Sequence, residues 1–544
     1  MYPVRTDGYL SGKEDRAVSS AAACGFLFGK KQMEVFGQII KKIDDFVWGI
    51  PLIVLILGAG IYLTVRLVFL PVVRLPRAFK YMFAKEKGGQ GEVSSFGALC
   101  TALSATIGTG NIVGVATAIV AGGPGAPLWM WLAAFFGMAT KYAEGLLAVK
   151  YRKVYPDGHT LGGPFYYIEG GLGRRRKFLA VIFAVLGMCV GLFGIGTFSQ
   201  VNSITSAVGN IFSGASSVHL FGREYNLAVV IAGLILTVLV ALVLLGGVKR
   251  IAKVSELVVP FMVIAYVLVC LIILFSNIGE IPAALGSIFQ GAFNPKAVTG
   301  GAVGSVIIVM QKGIARGIFS NEAGLGSAPI AAAAARTNEP ARQGLVSMTG
   351  TFLDTIVVCT MTGLAIVISG AWNIGLDGVD VTIEAFSRGL PGVLGTAGPA
   401  ILMVCLVFFA FTTILGWNFY GERCLEYLAG RKKAAIYAYR AAYIAAVFIG
   451  PYMTVAAVWN IADIFNGLMA IPNLIALFLL SGVVVRETKK YFARYPTLKS
   501  AEEEIELDAA AEEAAKELGL EEAGNGSPPA QKSNGPPGSV GPPD

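Results

Sequence analysis

The chain has 544 residues, of which 55% are hydrophobic and only 14% are charged, whereas soluble domains carry about a quarter charged residues. Its formal net charge of +8 does not indicate a nucleic-acid partner, because the basic residues cluster in loops between apolar runs. The two histidines, His159 and His219, and seven singly placed cysteines give no pattern of a metal centre or of a disulfide framework.

Apolar runs longer than about 18 residues recur along the chain, and a helix needs roughly 20 such residues to cross the hydrocarbon core. The alternating segments of about ten residues that build a membrane barrel are not seen. The sequence therefore predicts an all-α integral membrane protein. Eleven spans are predicted, at about 47–70, 94–121, 125–149, 178–206, 226–246, 255–277, 302–334, 342–370, 393–420, 433–454 and 455–484.

The loops between these spans alternate in their content of Lys and Arg. One set is rich in both residues, as at 150–177, whereas the opposite set holds only Arg223, Lys296 and Arg388. Basic loops stay in the cytoplasm. Eleven spans then place the N-terminus outside and the C-terminus in the cytoplasm, in the inner (plasma) membrane of the cell.

The chain divides into a membrane part and two ends. Residues 1–46 are a predicted N-terminal extension, in which 36–46 alternate apolar and charged groups as an interfacial helix does. After the span at 47–70, the other ten form two sets of five, at 94–277 and 302–484. Residues 485–544 are predicted to be a cytoplasmic tail, acidic at first, then rich in Pro, Gly and Ser and disordered.

Two of the predicted spans are interrupted by small and polar residues. The span at 94–121 contains the run from Ser104 to Asn111, and the span at 302–334 contains the run at 317–326, which includes a carboxylate. Such interruptions survive at membrane depth only when they are buried in protein or line a wet cavity. Small residues also form packing surfaces, but two polar interruptions five spans apart favour the midplane site of an inverted-repeat transporter.

Glycine-rich motifs lie within the two interruptions and in two stretches after the first of them. They are GTGNIVG at 108–114, GGPGAP at 122–127, GGPFYY at 162–167 and the block from Gly317 through Pro329. Together they resemble the alanine or glycine:cation symporter family over about residues 45 to 490. The resemblance implies a leucine-transporter-type fold, with one extra N-terminal helix and ten core helices in two inverted five-helix repeats whose first and sixth core helices are broken. It also implies co-transport of sodium, occasionally protons, with a small amino acid such as alanine or glycine, and no organic cofactor.

The resemblance locates a substrate pocket between the two breaks. The backbone N–H groups of Gly108, Thr109 and Gly110 are predicted to bind the substrate carboxylate, because glycine lets a ligand approach the backbone closely. The opposite break is predicted to meet the amino group and the small side chain. The residues of that break are Phe319, Ser320 and Asn321, and the further lining residues are Thr106, Gln200 and Trp417. Gln200 is equally explained by a bond between helices, and Trp417 by packing.

Sodium ligands are also implied by the resemblance. Asn111 is predicted to bind sodium through its side-chain oxygen. Thr412 and Thr413 are predicted to face the backbone carbonyls near Ser104 and Ile107 across the same ion, since hard cations prefer oxygen ligands. Paired threonines otherwise bond to their own helix.

Four charged residues are candidates for coupling or gating. Glu322 and Asp354 are acids at membrane depth, which are functional candidates by default; each has a structural alternative as a clamp or an ion-pair partner. Asp463 lies at the outer end of the tenth core helix, where related transporters often have an arginine–carboxylate gate. This sequence has no arginine in the outer half of the first core helix, so that gate does not carry over, and Arg316 is the candidate substitute. Lys141 and Glu144 are predicted to form a local pair.

Three other functions remain as alternatives. A channel would need a continuous polar pore, which interrupted helices do not favour. A membrane enzyme would need convergent nucleophile, base or metal groups, and none is visible. The third alternative keeps the fold but couples protons or carries another small amino acid.

Overall fold

The computed structural model describes residues 30–84, 89–220, 223–294, 306–452 and 455–497, and these ranges are mostly helical. The first helices are α1 (Lys30–Val47), α2 (Ile50–Arg66), α3 (Leu70–Val73), α4 (Leu75–Phe83), α5 (Ser95–Thr106), α6 (Val115–Gly122), α7 (Ala126–Lys150), α8 (Pro164–Leu172), α9 (Lys177–Phe193), α10 (Phe198–Ile211), α11 (Leu227–Leu245), α12 (Gly247–Ser276) and α13 (Ile281–Phe293). The later helices are α14 (Val306–Asn321), α15 (Ala328–Ala332), α16 (Pro340–Thr351), α17 (Thr360–Ser369), α18 (Val379–Gly389), α19 (Val393–Ala429), α20 (Lys433–Ile449) and α21 (Val455–Arg494).

Shorter elements connect these helices. Two segments have π-helical geometry, Gly110–Gly114 and Phe352–Cys359. Single 3₁₀ turns lie at Arg174–Arg176, Ile278–Glu280, Ala371–Asn373 and Gly450–Tyr452. The strands β1 (Lys153–Val154) and β2 (Thr160–Leu161) form one antiparallel hairpin, and β3 (Ser217–Leu220) and β4 (Arg223–Asn226) form another.

The described residues contain nine helical stretches that are long and apolar enough to cross a membrane, and a bent pair, Ser95–Thr106 with Gly110–Gly122, adds a tenth. The stretch at α11 has 19 residues and a mean hydropathy of 3.2, and only 22% of it is buried in protein. Its remaining apolar surface suits contact with lipid chains. The chain is thus a multi-pass membrane protein, as predicted.

The predicted span at 302–334 does not reappear as one full spanning helix. The described part of this helix, α14, begins at Val306, where the described range itself begins, and ends at Asn321. After Asn321 the helix stops, and α15 has only five residues. Residues 295–305 lie outside the described ranges. Ten candidate spans are found in the described chain, and the eleventh stays a prediction.

The two ends differ in detail from the predicted boundaries. α1 has 18 residues, longer than the interfacial helix predicted at 36–46, and joins α2 almost directly. α21 continues to Arg494, beyond the predicted end of the last span at 484. The predictions for residues 1–29 and for the tail at 498–544 fall outside the described ranges.

Helix packing brings the two interrupted segments together. α7 packs against α14 and α16, and α5 packs against α12 and α19. The π-helical turn at Gly110–Gly114 contacts α14 and the second π-helical segment. α19 approaches α5 closely, because a Cβ added at Gly416 would lie only 2.7 Å from the Ala105 backbone nitrogen. The interrupted segments therefore lie side by side in the centre of the bundle.

Candidate substrate and cation site

The first interruption is a bend of 54° between α5 and the helix that resumes at Gly110. A regular helix would bond the Gly108 N–H to the Ser104 carbonyl four residues earlier. Here the Gly108 N–H donates to the Asn111 side-chain oxygen at 2.9 Å. The end of α5 therefore exposes a backbone carbonyl at Ser104 to other partners, as the predicted cation site requires.

Two of the backbone N–H groups that were predicted to bind the substrate carboxylate donate instead to side-chain oxygens of the protein. Gln200 on α10 accepts the Thr109 N–H at 3.3 Å, as Asn111 accepts that of Gly108. A side-chain amide oxygen and a carboxylate oxygen accept the same kind of hydrogen bond. The donors are thus arranged for an oxygen acceptor, although in this structure the protein supplies it.

The second interruption begins directly after α14. Glu322 has a left-handed backbone with φ of 56°, and Gly324 and Gly326 follow with φ of 89° and 83°. Asn321 accepts the Ala323 N–H at 2.9 Å through its side-chain oxygen. A left-handed backbone is costly for a residue with a side chain and persists where the surroundings hold it. The strain supports a functional role for this turn.

Asp354 joins the two interruptions. Asn111 donates to one of its carboxylate oxygens at 2.8 Å. Ser320 and Thr355 donate to the other at 2.9 and 2.7 Å. All four side chains are fully buried. The carboxylate therefore links α14 to the first break through direct hydrogen bonds.

Glu322 and Trp417 are fully buried neighbours. Ser327 donates to one oxygen of the Glu322 carboxylate. The Trp417 indole N–H is directed at the same carboxylate, although its geometry falls short of a regular hydrogen bond. Ser327 and Trp417 are thus the two side chains that address this acid.

The two threonines of α19 differ in what their hydroxyls contact. The Thr413 hydroxyl lies 3.4 Å from the Ile107 carbonyl and 2.9 Å from that of Phe409. The Thr412 hydroxyl bonds to its own helix and lies 3.4 Å from the Met262 sulfur. Only Thr413 therefore reaches across to the first break in this conformation.

Phe319 has an arginine above its ring. The Arg316 guanidinium lies 5.3 Å from the Phe319 ring centroid and 3.2 Å from the Asp463 carboxylate. Trp48 donates to the Asp463 backbone carbonyl at 2.8 Å. The structure thus forms the ion pair that was predicted for Arg316 and Asp463, directly beside a residue of the second break.

A cluster around Arg423 was not predicted from the sequence. Arg423 at the end of α19 bonds to Glu92 at 2.7 Å and to Glu426 at 2.9 Å. His159, on the loop between β1 and β2, lies 2.7 Å from the same guanidinium. The cluster connects α19 with the segment before α5. Its sequence signal was only a basic residue in a positively charged loop.

Comparison with known proteins shows the family to which the chain belongs. Residues 33–505 match the model of the Sodium:alanine symporter family. The chain is 50% identical over 464 residues to the sodium/alanine symporter AgcS of Methanococcus maripaludis, covering 84% of this chain and 97% of that protein. It is 57% identical over 460 residues to an uncharacterized transporter of Haemophilus influenzae, covering 84% and 96%.

A solved structure has the same fold. The structure of MhsT in complex with L-phenylalanine matches with a TM-score of 0.53 and 13% identity, over 74% of this chain and 93% of that one. This likeness supports the predicted leucine-transporter-type fold. The family is one of transporters, so the chain is not an enzyme. With most of its length covered by the family model and by close relatives, the chain belongs to the sodium:alanine symporter family.

Proposed function

We propose that this protein carries a small neutral amino acid, alanine or glycine, into the cell together with sodium by alternating access. The observation that carries the proposal is the Asp354 carboxylate, which bonds to Asn111 of the first break and to Ser320 of the second. A cation bound at the first break is therefore linked through this group to the second break. Its binding then favours one relative arrangement of them, which is how a ligand drives a conformational change.

The central pocket is suited to a cargo with a small side chain. A Cβ on Gly110 would lie 3.4 Å from the Phe319 ring and 3.4 Å from the Ser320 Cα, so little space separates the two breaks here. We assign the cargo carboxylate to the N–H groups of Gly108 and Thr109, in place of the side-chain oxygens that accept from them. Its amino group and methyl then face the second break.

Sodium is assigned to the space between α19 and the first break. The Thr413 hydroxyl lies 3.4 Å from the Ile107 carbonyl, and the Ser104 carbonyl lacks its helical donor, since the Gly108 N–H bonds elsewhere. These are hard oxygen ligands of the kind that sodium requires. Thr412, which was predicted with them, would have to turn its side chain to take part.

Replacing Thr413 with valine is expected to raise the sodium concentration for half-maximal uptake by roughly threefold to tenfold, because a single hydrogen-bonding ligand contributes about 0.5–1.5 kcal/mol. Thr412→Val is the matched control, since it makes the same change one residue away. Its sodium titration should overlay that of the parent. Equal shifts in both variants would mean that neither hydroxyl is specific for the ion.

We also propose an orientation and a pair of gates. The N-terminus lies outside and the C-terminus in the cytoplasm, with the halves at 94–277 and 302–484 as inverted repeats. Arg316 and Asp463 then form the outer gate, because their ion pair lies next to Phe319. Arg423 and Glu92 form the inner gate, because they connect α19 with the segment before α5.

The cargo is tested by counterflow into liposomes that contain the purified protein. Unlabelled alanine, glycine, glutamine, leucine and phenylalanine are loaded inside in turn, and entry of labelled alanine is followed with and without sodium. Alanine and glycine should drive entry only with sodium, and leucine and phenylalanine should not. Exchange that prefers a large side chain would contradict the assigned pocket.

A further inference from the structure

Two backbone segments run beside each other at the ends of the broken helices. One, at 90–93, precedes α5, and the other, at 333–337, follows α15; together they are called the paired segments. Val93 and Ala335 are partners in a parallel β-bridge between them. Gly91 has a φ of 146°, and a Cβ there would overlap the Ala335 carbonyl, so glycine is needed for this approach. The paired segments are therefore in direct backbone contact.

Arg152 joins these segments from the turn between α7 and β1. One terminal nitrogen of its guanidinium donates to the Ala333 and Ala335 carbonyls at 3.0 and 2.6 Å. The other donates to the Gln90 and Thr337 carbonyls, both at 2.6 Å. A guanidinium is a planar fork, whereas the ammonium group of a lysine is a compact charge with three donors. Four carbonyls from both segments are thus fixed by a side chain that lysine does not replace.

Glu92 lies on the first of the paired segments. Its N–H donates to the Ala334 carbonyl at 2.9 Å. Its carboxylate accepts from Arg423 at 2.7 Å and from the Thr160 N–H at 2.8 Å. The Glu92 side chain is only 5% exposed, so its contact with Arg423 depends on how the surrounding backbone is held. Arg152 holds that backbone.

We propose that Arg152 is a positioning residue of the inner gate, which keeps Glu92 in place for Arg423 by joining the paired segments. The inference rests on the proposed function and names a residue on which its inner gate depends. A weaker inner gate lowers the population of the conformation that is closed to the cytoplasm and accepts sodium from outside. The apparent affinity for external sodium then falls with that population.

The test is the external sodium concentration for half-maximal alanine uptake into liposomes that contain the full chain. Arg152→Lys keeps the charge but loses the planar fork. It is expected to raise this concentration by about threefold to tenfold, as the loss of one or two hydrogen bonds does. Arg175→Lys is the matched control, because it makes the same change on an exposed turn, and its sodium titration should overlay that of the parent.

A double-mutant cycle separates positioning from general stability. Glu92→Gln removes the negative charge of the inner gate and keeps the shape of the side chain, so it should itself raise the sodium concentration. Arg152→Lys added to Glu92→Gln should change that value by less than about twofold, because the contact that Arg152 supports is already weakened. A residue that only stabilised the fold would give the same shift in both backgrounds.

Gly91→Ala is a second variant in case Arg152→Lys does not fold, because its Cβ would push the paired segments apart. It should show the same shift and the same suppression by Glu92→Gln. A parent-like titration of Arg152→Lys, or an equal shift in both backgrounds, would overturn the inference. A parent-like titration of Glu92→Gln alone would contradict the inner gate and the inference with it. Failure of the proposed sodium symport would be recognised separately, as alanine uptake by the parent that ignores sodium.

Discussion

Gly108→Ala is expected to reduce sodium-driven uptake by about 5- to 150-fold. A Cβ at this position would lie well inside 3.0 Å of the Thr413 hydroxyl and 3.4 Å from the Gln200 side-chain oxygen. Thr413 is β-branched and cannot easily rotate away, so α19 or the break itself must move. Overpacking of this kind costs about 1–3 kcal/mol, which corresponds to the stated range.

Gly114→Ala is the matched control for this prediction. Gly114 lies on the same segment, has an ordinary helical φ of −62°, and a Cβ there would meet no atom within 4 Å. Its uptake should stay close to that of the parent. Both variants should be compared at equal amounts of folded protein in the membrane. Parent-like uptake by Gly108→Ala would mean that the cation and carboxylate positions are assigned to the wrong place.

Asp354→Asn is expected to raise the sodium concentration for half-maximal uptake about tenfold or more, or to abolish uptake. The carboxylate accepts from Asn111, Ser320 and Thr355. An asparagine presents one oxygen and one NH₂ group, so at least one buried donor loses its acceptor, at a cost of about 1–3 kcal/mol. The negative charge that connects the two breaks is lost as well.

Two further variants separate these causes. Ser320→Ala removes one donor and keeps the charge, so its effect should be smaller than that of Asp354→Asn. Asp377→Asn makes the same chemical change on an exposed loop, where the carboxylate accepts a neighbouring backbone N–H, and should leave the sodium titration unchanged. If the sodium titration of Asp354→Asn matches that of the parent, this acid links the helices and takes no part in sodium binding.

Much of the membrane architecture follows from the sequence because hydrophobic length is a local property. The spans around α11, α12 and α19 need no tertiary information. The span at 302–334 is different, since the same small and polar residues that identify the functional break also end α14 at Asn321. Residues that suit a binding site weaken the signal for a spanning helix.

The partners within the site are harder to predict, because they depend on side-chain direction in three dimensions. Thr412 and Thr413 are equivalent by sequence, yet only the Thr413 hydroxyl reaches Ile107. Lys141 and Glu144 have the spacing of a helical pair, but Lys141 lines a cavity between α5 and α16 instead. Arg316 was named as the partner of Asp463 because the outer half of the first core helix has no arginine that could take this role.

The central claim is that sodium and a zwitterionic amino acid move together, and one measurement tests it most directly. The cargo carries no net charge, so each sodium that enters moves one positive charge. An inside-negative potential then contributes roughly 2.3 kcal/mol per charge per 100 mV, which is almost two decades of accumulation. Labelled alanine uptake is followed in liposomes with an imposed potassium-diffusion potential, with sodium outside. Uptake should require sodium and rise steeply with the potential. Uptake that ignores the potential, or that a pH gradient drives without sodium, would contradict sodium symport and favour proton coupling.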